Sequence, residues 1–210
     1  MKNKIRAGII GAAGYTGGEL IRLLLHHPQA EIVFANSKSN AGKPVTTIHR
    51  DLVGETELHF SSEIQPDVDV LFLCAGHGEA RQLLPTLSVA DSARIIDLSN
   101  DFRLHANAQQ GVRQFVYGLP ELQKKVIQNA GNVANPGCFA TAIQLALLPL
   151  AQAGILQTVH VTAITGATGA GQSLQATQHF AWRANNVSAY KVLTHQHLGE
   201  IGQSLRQLLL

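Results

Sequence analysis

Ile5 to Ile10 is a short apolar run, and it leads into Gly11-Ala12-Ala13-Gly14-Tyr15-Thr16-Gly17. Leu20, Leu23 and Leu24 then recur at helical spacing up to His27, and Pro28 stops the helix. A strand that passes through a glycine turn into a helix needs a following strand brought back parallel to the first, which commits the chain to a sheet with crossover helices. The alternation continues with strands at Glu31 to Ala35 and Val68 to Cys74, a helix at Glu79 to Val89, and a strand at Ala93 to Leu98. The expected fold class is α/β, a doubly wound parallel sheet with helices on both faces. Strands buried on both sides read as continuous apolar runs, which accounts for charged residues making up only 14% of the chain.

Other classes drop out on charge and pattern. A net charge of +2 provides no field to gather nucleic acid or a membrane surface. No apolar run is long enough to span a bilayer, and the start Met1-Lys2-Asn3-Lys4 leads to too short an apolar stretch for a secretion signal. A cytoplasmic chain with no nucleic-acid or membrane partner is expected. The two cysteines, Cys74 and Cys138, lie far apart in unlike contexts, which suits neither a disulfide scaffold nor a zinc knuckle.

The character of the chain changes after Asn135-Pro136-Gly137. A helix starts at Cys138 and carries Ala140, Ala142, Leu145, Ala146 and Leu148, followed by a β-rich stretch from Thr158 to Thr165. From Phe139 onward the only acidic residue is Glu200, so this part is expected to be heavily buried, within its own domain or against another subunit. The last helix, Glu200 to Leu210, presents Ile201, Leu205 and Leu208 on one face and ends without a cap. The reading is a sheet domain over 1–137 and an incomplete α+β domain over 138–210, the chain stopping partway through an architecture.

Three motifs carry chemistry. In the first, Gly11, Gly14 and Gly17 let the backbone approach a pyrophosphate, and the N–H groups of Ala13, Tyr15 and Thr16 lie at the start of a helix whose dipole favours the anion. A site that prefers NAD places an acid about twenty positions on. Here the second strand ends Asn36-Ser37-Lys38-Ser39, a hydroxyl and a cation, which predicts NADP. The plainer reading of Lys38 is a solvated loop lysine. The second motif is Asn135-Pro136-Gly137-Cys138, where a thiol in the first turn of a helix meets the positive end of the dipole, which favours thiolate. A small buried apolar side chain is the other reading, and placement alone leaves the two even. The third, Thr194-His195-Gln196-His197-Leu198-Gly199-Glu200, sets two histidines on one face if extended, with Glu200 able to orient one of them. A His-x-His zinc site is not expected, since no other Cys or His stands at finger-like spacing. Arg103 follows a strand at the carboxyl edge, where it could grip an anion or pair with Asp97 or Asp101, and His77, in Gly76-His77-Gly78, could line the cofactor cleft.

Taken together, the glycine turn at 11–17, Asp-Leu-Ser-Asn-Asp-Phe-Arg-Leu at 97–104, Tyr-Gly-Leu-Pro-Glu at 117–121, Asn-Pro-Gly-Cys at 135–138 and His-Gln-His-Leu-Gly-Glu at 195–200 resemble the N-acetyl-γ-glutamyl-phosphate reductases. The resemblance implies a Rossmann-type NADP domain and a reductase of arginine biosynthesis acting on an acyl phosphate. It also implies Cys138 as nucleophile, His195 or His197 as acid/base with Glu200, Arg103 and Asn135 on the substrate side, and a homo-oligomer, dimer or tetramer. The family commonly has Ser at Ala13, Ala at Asn100 and Pro at Gly199, and its members continue well past position 210. Aspartate-semialdehyde dehydrogenase is the alternative within the same chemistry, and an inactive, truncated nucleotide-binding module is the alternative outside it.

Overall fold

The computed structural model describes residues 4–209; Met1-Lys2-Asn3 and Leu210, the expected last residue of the final helix, lie outside the described residues. The chain forms two compact units that divide between Pro136 and Gly137.

The first unit is built on one sheet. Its strands are β1 (Ile5–Ile10), β2 (Ala30–Asn36), β3 (Phe60–Ser61), β4 (Val70–Leu73), β5 (Arg94–Asp97), β6 (Gln109–Gln110), β7 (Arg113–Tyr117) and β8 (Asn132–Ala134). They lie in the order β3-β2-β1-β4-β5-β8-β7-β6, and every pairing is parallel except β6 with β7. Strand order reverses between β1 and β4, so the turns leaving these strands open the crevice where ligands of such sheets sit. Side-chain alternation buries both faces. Ile9 and Ala35 pack with Ile21, Val45 and Phe60 in one core cluster, while Ile10 and Phe34 pack with Leu71, Leu73, Ile95 and Phe115 in another. Three helices serve this unit: α1 (Tyr15–Leu25), α2 (Glu79–Leu83) and α3 (Pro120–Gln128).

The second unit holds α4 (Cys138–Gln152), the single turn α5 (Phe180–Arg183) and α6 (His197–Leu209). Among the described residues, Ala140, Leu148 and Ala151 of α4 and Ile201 of α6 are its buried apolar residues.

Several expectations need correction. The helix expected to Val89 ends at Leu83 and tightens into a 3₁₀ turn over Leu84–Thr86, because Pro85 has no N–H to continue it. The last helix begins at His197, three residues before its expected start at Glu200. Thr158 to Thr165 forms no strand, and among the described residues the second unit has none at all. β-Branched residues favour a pleated surface only where a neighbour supplies ladder bonds. Nor is the part from Phe139 onward heavily buried within the chain: Ile164, Phe180, Val187 and Leu193 are all more than four-fifths exposed.

Candidate active site

The glycine turn keeps its shape through backbone contacts that only glycine allows. Gly11 has φ +76°, and a Cβ there would lie 2.4 Å from the Cys74 carbonyl oxygen of the neighbouring strand's exit. At Gly17 a Cβ would meet the Gly11 oxygen at 2.5 Å and Ala12 Cα at 2.6 Å, so α1 packs directly on the turn. The Ala12 N–H donates to the Asn36 oxygen (3.0 Å), and no side chain caps the first turn of α1. Such a helix start retains the N–H groups an anion needs. At the end of β2 the Ser37 N–H donates to Ser61, while Lys38 is exposed on the 3₁₀ turn that follows. His77, exposed after β4, accepts from the Asn100 N–H through Nδ1 (3.2 Å). Tyr15 is half exposed.

Asp97 closes β5 and is fully buried. It accepts from the Ser99 hydroxyl (2.7 Å) and the Ser99 N–H (3.2 Å). Desolvation, opposed by those bonds, lifts its carboxyl from 3.8 to about 6. The native state therefore keeps a proton that the unfolded chain has already released, so stability falls as pH rises from about 4 to about 6 and the cost persists above that. Asp97→Asn should flatten that fall and gain up to about 3 kcal/mol at pH 8 relative to pH 4. Urea unfolding of both proteins at the two pH values checks this; parallel pH profiles would refute it.

Arg103 is buried. It donates to the carbonyls of Asn135 (Nε, 2.8 Å) and Leu98 (Nη2, 2.9 Å), and its charge acts on the Asp97 carboxyl. The Asn135 N–H in turn donates to the Asp97 backbone carbonyl (2.7 Å), and Asn135 itself is exposed.

In the second unit Cys138 is the first residue of α4 and is exposed; its helix has no side-chain cap. The Gly137 N–H donates to Glu200 Oε2 (2.9 Å), and the other oxygen of Glu200 lies 3.8 Å from His197 Nε2. Glu200 and His197 are both buried, and the His197 ring rests on Gly137 so closely that a Cβ there would lie 2.2 Å from its Nε2. His195, half buried, accepts the His197 N–H through Nδ1 (3.2 Å), and the two rings meet edge to face at 4.5 Å. Phe139 packs edge-on against His195 at 5.3 Å. The structure thus places Gly137, Cys138, His195, His197 and Glu200 in one cluster.

Sequence reasoning missed Tyr190, whose hydroxyl lies 3.4 Å from His195 Nε2. Burial, and then the charge of Cys138, hold its phenol above the ordinary range. Burial, aided by Lys191 and opposed by Glu200, lowers the His195 imidazole. Cys74, by contrast, is pushed up to about 12 by burial and Asp97. Among the described residues no group of three or more His, Cys, Asp or Glu could hold a metal ion, and no helix is long and apolar enough to cross a membrane.

Residues 6–130 match the family model described as semialdehyde dehydrogenase, NAD binding domain, and residues 138–209 match the semialdehyde dehydrogenase dimerisation domain. The chain is 57% identical to an N-acetyl-gamma-glutamyl-phosphate reductase of Christiangramia forsetii, 56% to one of Flavobacterium johnsoniae and 54% to one of Bacteroides thetaiotaomicron. In each case the match covers 97% of this chain and 63% of the relative, so the chain spans less than two thirds of the length of these curated relatives. Among solved structures, aspartate semialdehyde dehydrogenase II from Vibrio cholerae matches with a TM-score of 0.56 at 19% identity, covering 72% of this chain and 43% of that one. The aspartate semialdehyde dehydrogenase of Candida albicans matches at 0.52 and 18%, covering 73% and 48%. These two likenesses concern the fold. With family models matching both of its units, the chain belongs to the semialdehyde dehydrogenase family.

Proposed function

We propose that the chain carries the cofactor site and the nucleophile of an NADPH-dependent N-acetyl-γ-glutamyl-phosphate reductase, which forms N-acetylglutamate semialdehyde and phosphate in arginine biosynthesis. The observation that carries this reading is an exposed thiol at the start of α4, with His195, His197 and Glu200 gathered around the same turn. The shared name of the 52–57% identical relatives supports the choice of substrate.

Cys138 thiolate attacks the γ-acyl carbon, the C–O bond to phosphate breaks, and phosphate leaves a thioester. Backbone N–H groups at the uncapped start of α4 are suited to holding the carbonyl oxygen as it gains charge. When bound, NADPH supplies the hydride that reduces the thioester carbon. Collapse of the resulting thiohemiacetal frees the semialdehyde and returns the thiolate. His195 is the better proton carrier of the pair, since it is half exposed and its Nδ1 accepts a bond, which puts the exchangeable proton on Nε2, beside the Tyr190 hydroxyl. His197 and Glu200 hold the Gly137 turn in place. Arg103 and Asn135 shape the substrate side, with Arg103 bonded to the Asn135 carbonyl.

The residues at the crevice suit NADPH: the Gly11 and Gly17 contacts leave no room for a Cβ, the start of α1 lacks a cap, and Ser37 and Lys38 stand where an acid would reject a 2′-phosphate. Gly14, Ala13, Tyr15 and Thr16 line that turn, with His77 at the next strand exit. Lys38→Glu should weaken NADPH roughly tenfold or more, the scale of a charge-assisted bond, and leave NADH within about twofold. Equal losses in calorimetric titrations would remove Lys38 from the phosphate site. The exposed apolar residues of the second unit, together with the dimerisation-domain match, support a homo-oligomer. The deciding assay is NADPH oxidation with N-acetylglutamyl phosphate beside aspartyl phosphate. Turnover of only the latter would move the chain to aspartate-semialdehyde chemistry, and turnover of neither would reduce it to a nucleotide-binding module.

A further inference from the structure

One buried histidine lies outside the cysteine cluster. His49 is 5% exposed and reaches the glycine turn from the long segment between β2 and β3. Its Nε2–H donates to the Ala12 carbonyl at 2.8 Å. Ala12 is itself fully buried, so its carbonyl needs a donor inside the protein.

The ring also occupies the space over α1 that Gly18 leaves open. A Cβ at Gly18 would lie 2.5 Å from His49 Cε1 and 2.6 Å from Nδ1. Phe60 closes the other side, edge-on at 6.2 Å. Two residues on, Asp51 takes a forked pair of bonds from Arg22 of α1, at 2.6 and 2.7 Å. The segment therefore grips α1 and its leading turn at two points, a carbonyl and a guanidinium.

A trans peptide is planar, so fixing the Ala12 carbonyl on His49 also sets the direction of the Ala13 N–H, on the opposite side of the same plane. That peptide sits in the middle of the turn. We infer that His49 is a positioning residue for the pyrophosphate-binding turn, holding the Ala12–Ala13 peptide in the orientation that receives a dinucleotide. This rests on the reading of the turn as an NADPH site.

The test uses the full chain and two probes, NADPH and 2′-AMP, which has the 2′-phosphate but no pyrophosphate. His49→Leu fills the space without a donor, and His49→Gln keeps an N–H within reach of the carbonyl. His49→Leu should weaken NADPH about tenfold, the scale of one lost buried hydrogen bond, while 2′-AMP stays within about twofold. His49→Gln should recover most of the loss. If His49→Leu fails to fold, His49→Asn, whose amide stops short of the carbonyl, takes its place. Equal weakening of both probes, no weakening of NADPH, or a His49→Gln as poor as the donorless variant overturns the positioning role and leaves the cofactor reading intact. A wild-type chain that binds neither probe overturns the cofactor reading, and this inference with it.

Discussion

Serine in place of Cys138 is expected to abolish acyl-phosphate-dependent NADPH oxidation, by at least about 10⁴-fold, the scale on which loss of a covalent nucleophile acts. The two side chains differ by one atom, so packing at the start of α4 hardly changes. What is lost is the more readily formed and more nucleophilic anion: a hydroxyl ionises far less readily than a thiol. NADPH binding should persist, because the glycine turn belongs to the other unit and has no covalent part in the thioester. Iodoacetamide gives a second reading on the same variant. The wild-type chain should take up one label, on exposed Cys138, while Cys74, whose thiol is pushed up to about 12 by burial, stays unlabelled. Cys138→Ser should therefore take up none. Retained turnover in the serine variant would end the covalent route, and labelling that survives it would mean Cys74 is the reactive thiol.

The elements legible in the sequence are those whose burial leaves a one-dimensional trace. β1, β2, β4 and β5 are buried over most of their length and read as largely apolar runs, with charged residues only at Arg6, Glu31, Arg94 and Asp97, and the glycine turn marks where the first of them ends. β7 and β8 left no such trace. Arg-Gln-Phe-Val-Tyr keeps two polar residues, and Asn132 sits inside a strand because its amide exchanges bonds with Arg113 and Gln114 across the ladder. Thr158 to Thr165 failed the other way: its residue types favour strand, but strand is a property of pairs, and no described residue pairs with it. At the site, chemistry named Cys138, His195 and His197, since the thiol stands at a helix start and the two imidazoles lie two positions apart beside an acid. His49 and Tyr190 were out of reach of such reasoning. Each is a single residue in irregular chain, and His49 meets its partner 37 positions away. Arg103 shows a related limit, because a sequence reveals a cation but not that the Asn135 and Leu98 carbonyls will accept from it.

The cysteine cluster can be broken without altering any of its side chains. Gly137→Ala adds one methyl group whose carbon would lie 2.2 Å from His197 Nε2 and 2.5 Å from Cε1, far inside contact distance. The backbone offers no objection, since Gly137 sits at φ −69° and ψ 152°, ordinary for alanine. The strain must fall on the imidazole, which is buried against α4 and cannot swing out freely. Displacing it disturbs its edge-to-face contact with the His195 ring, its approach to Glu200 and so the seat of Glu200 against the Gly137 N–H, and the proton carrier and the thiol lose their register together. A misplacement of about 1 Å is enough for a roughly 10²-fold fall in kcat, with the Kd for NADPH unchanged. A double-mutant cycle isolates the cause. In a His197→Ala background the added methyl group meets no ring, so Gly137→Ala should cost little beyond the His197→Ala loss itself. If the two losses add in full, the methyl group acts elsewhere and His197 does not hold the turn.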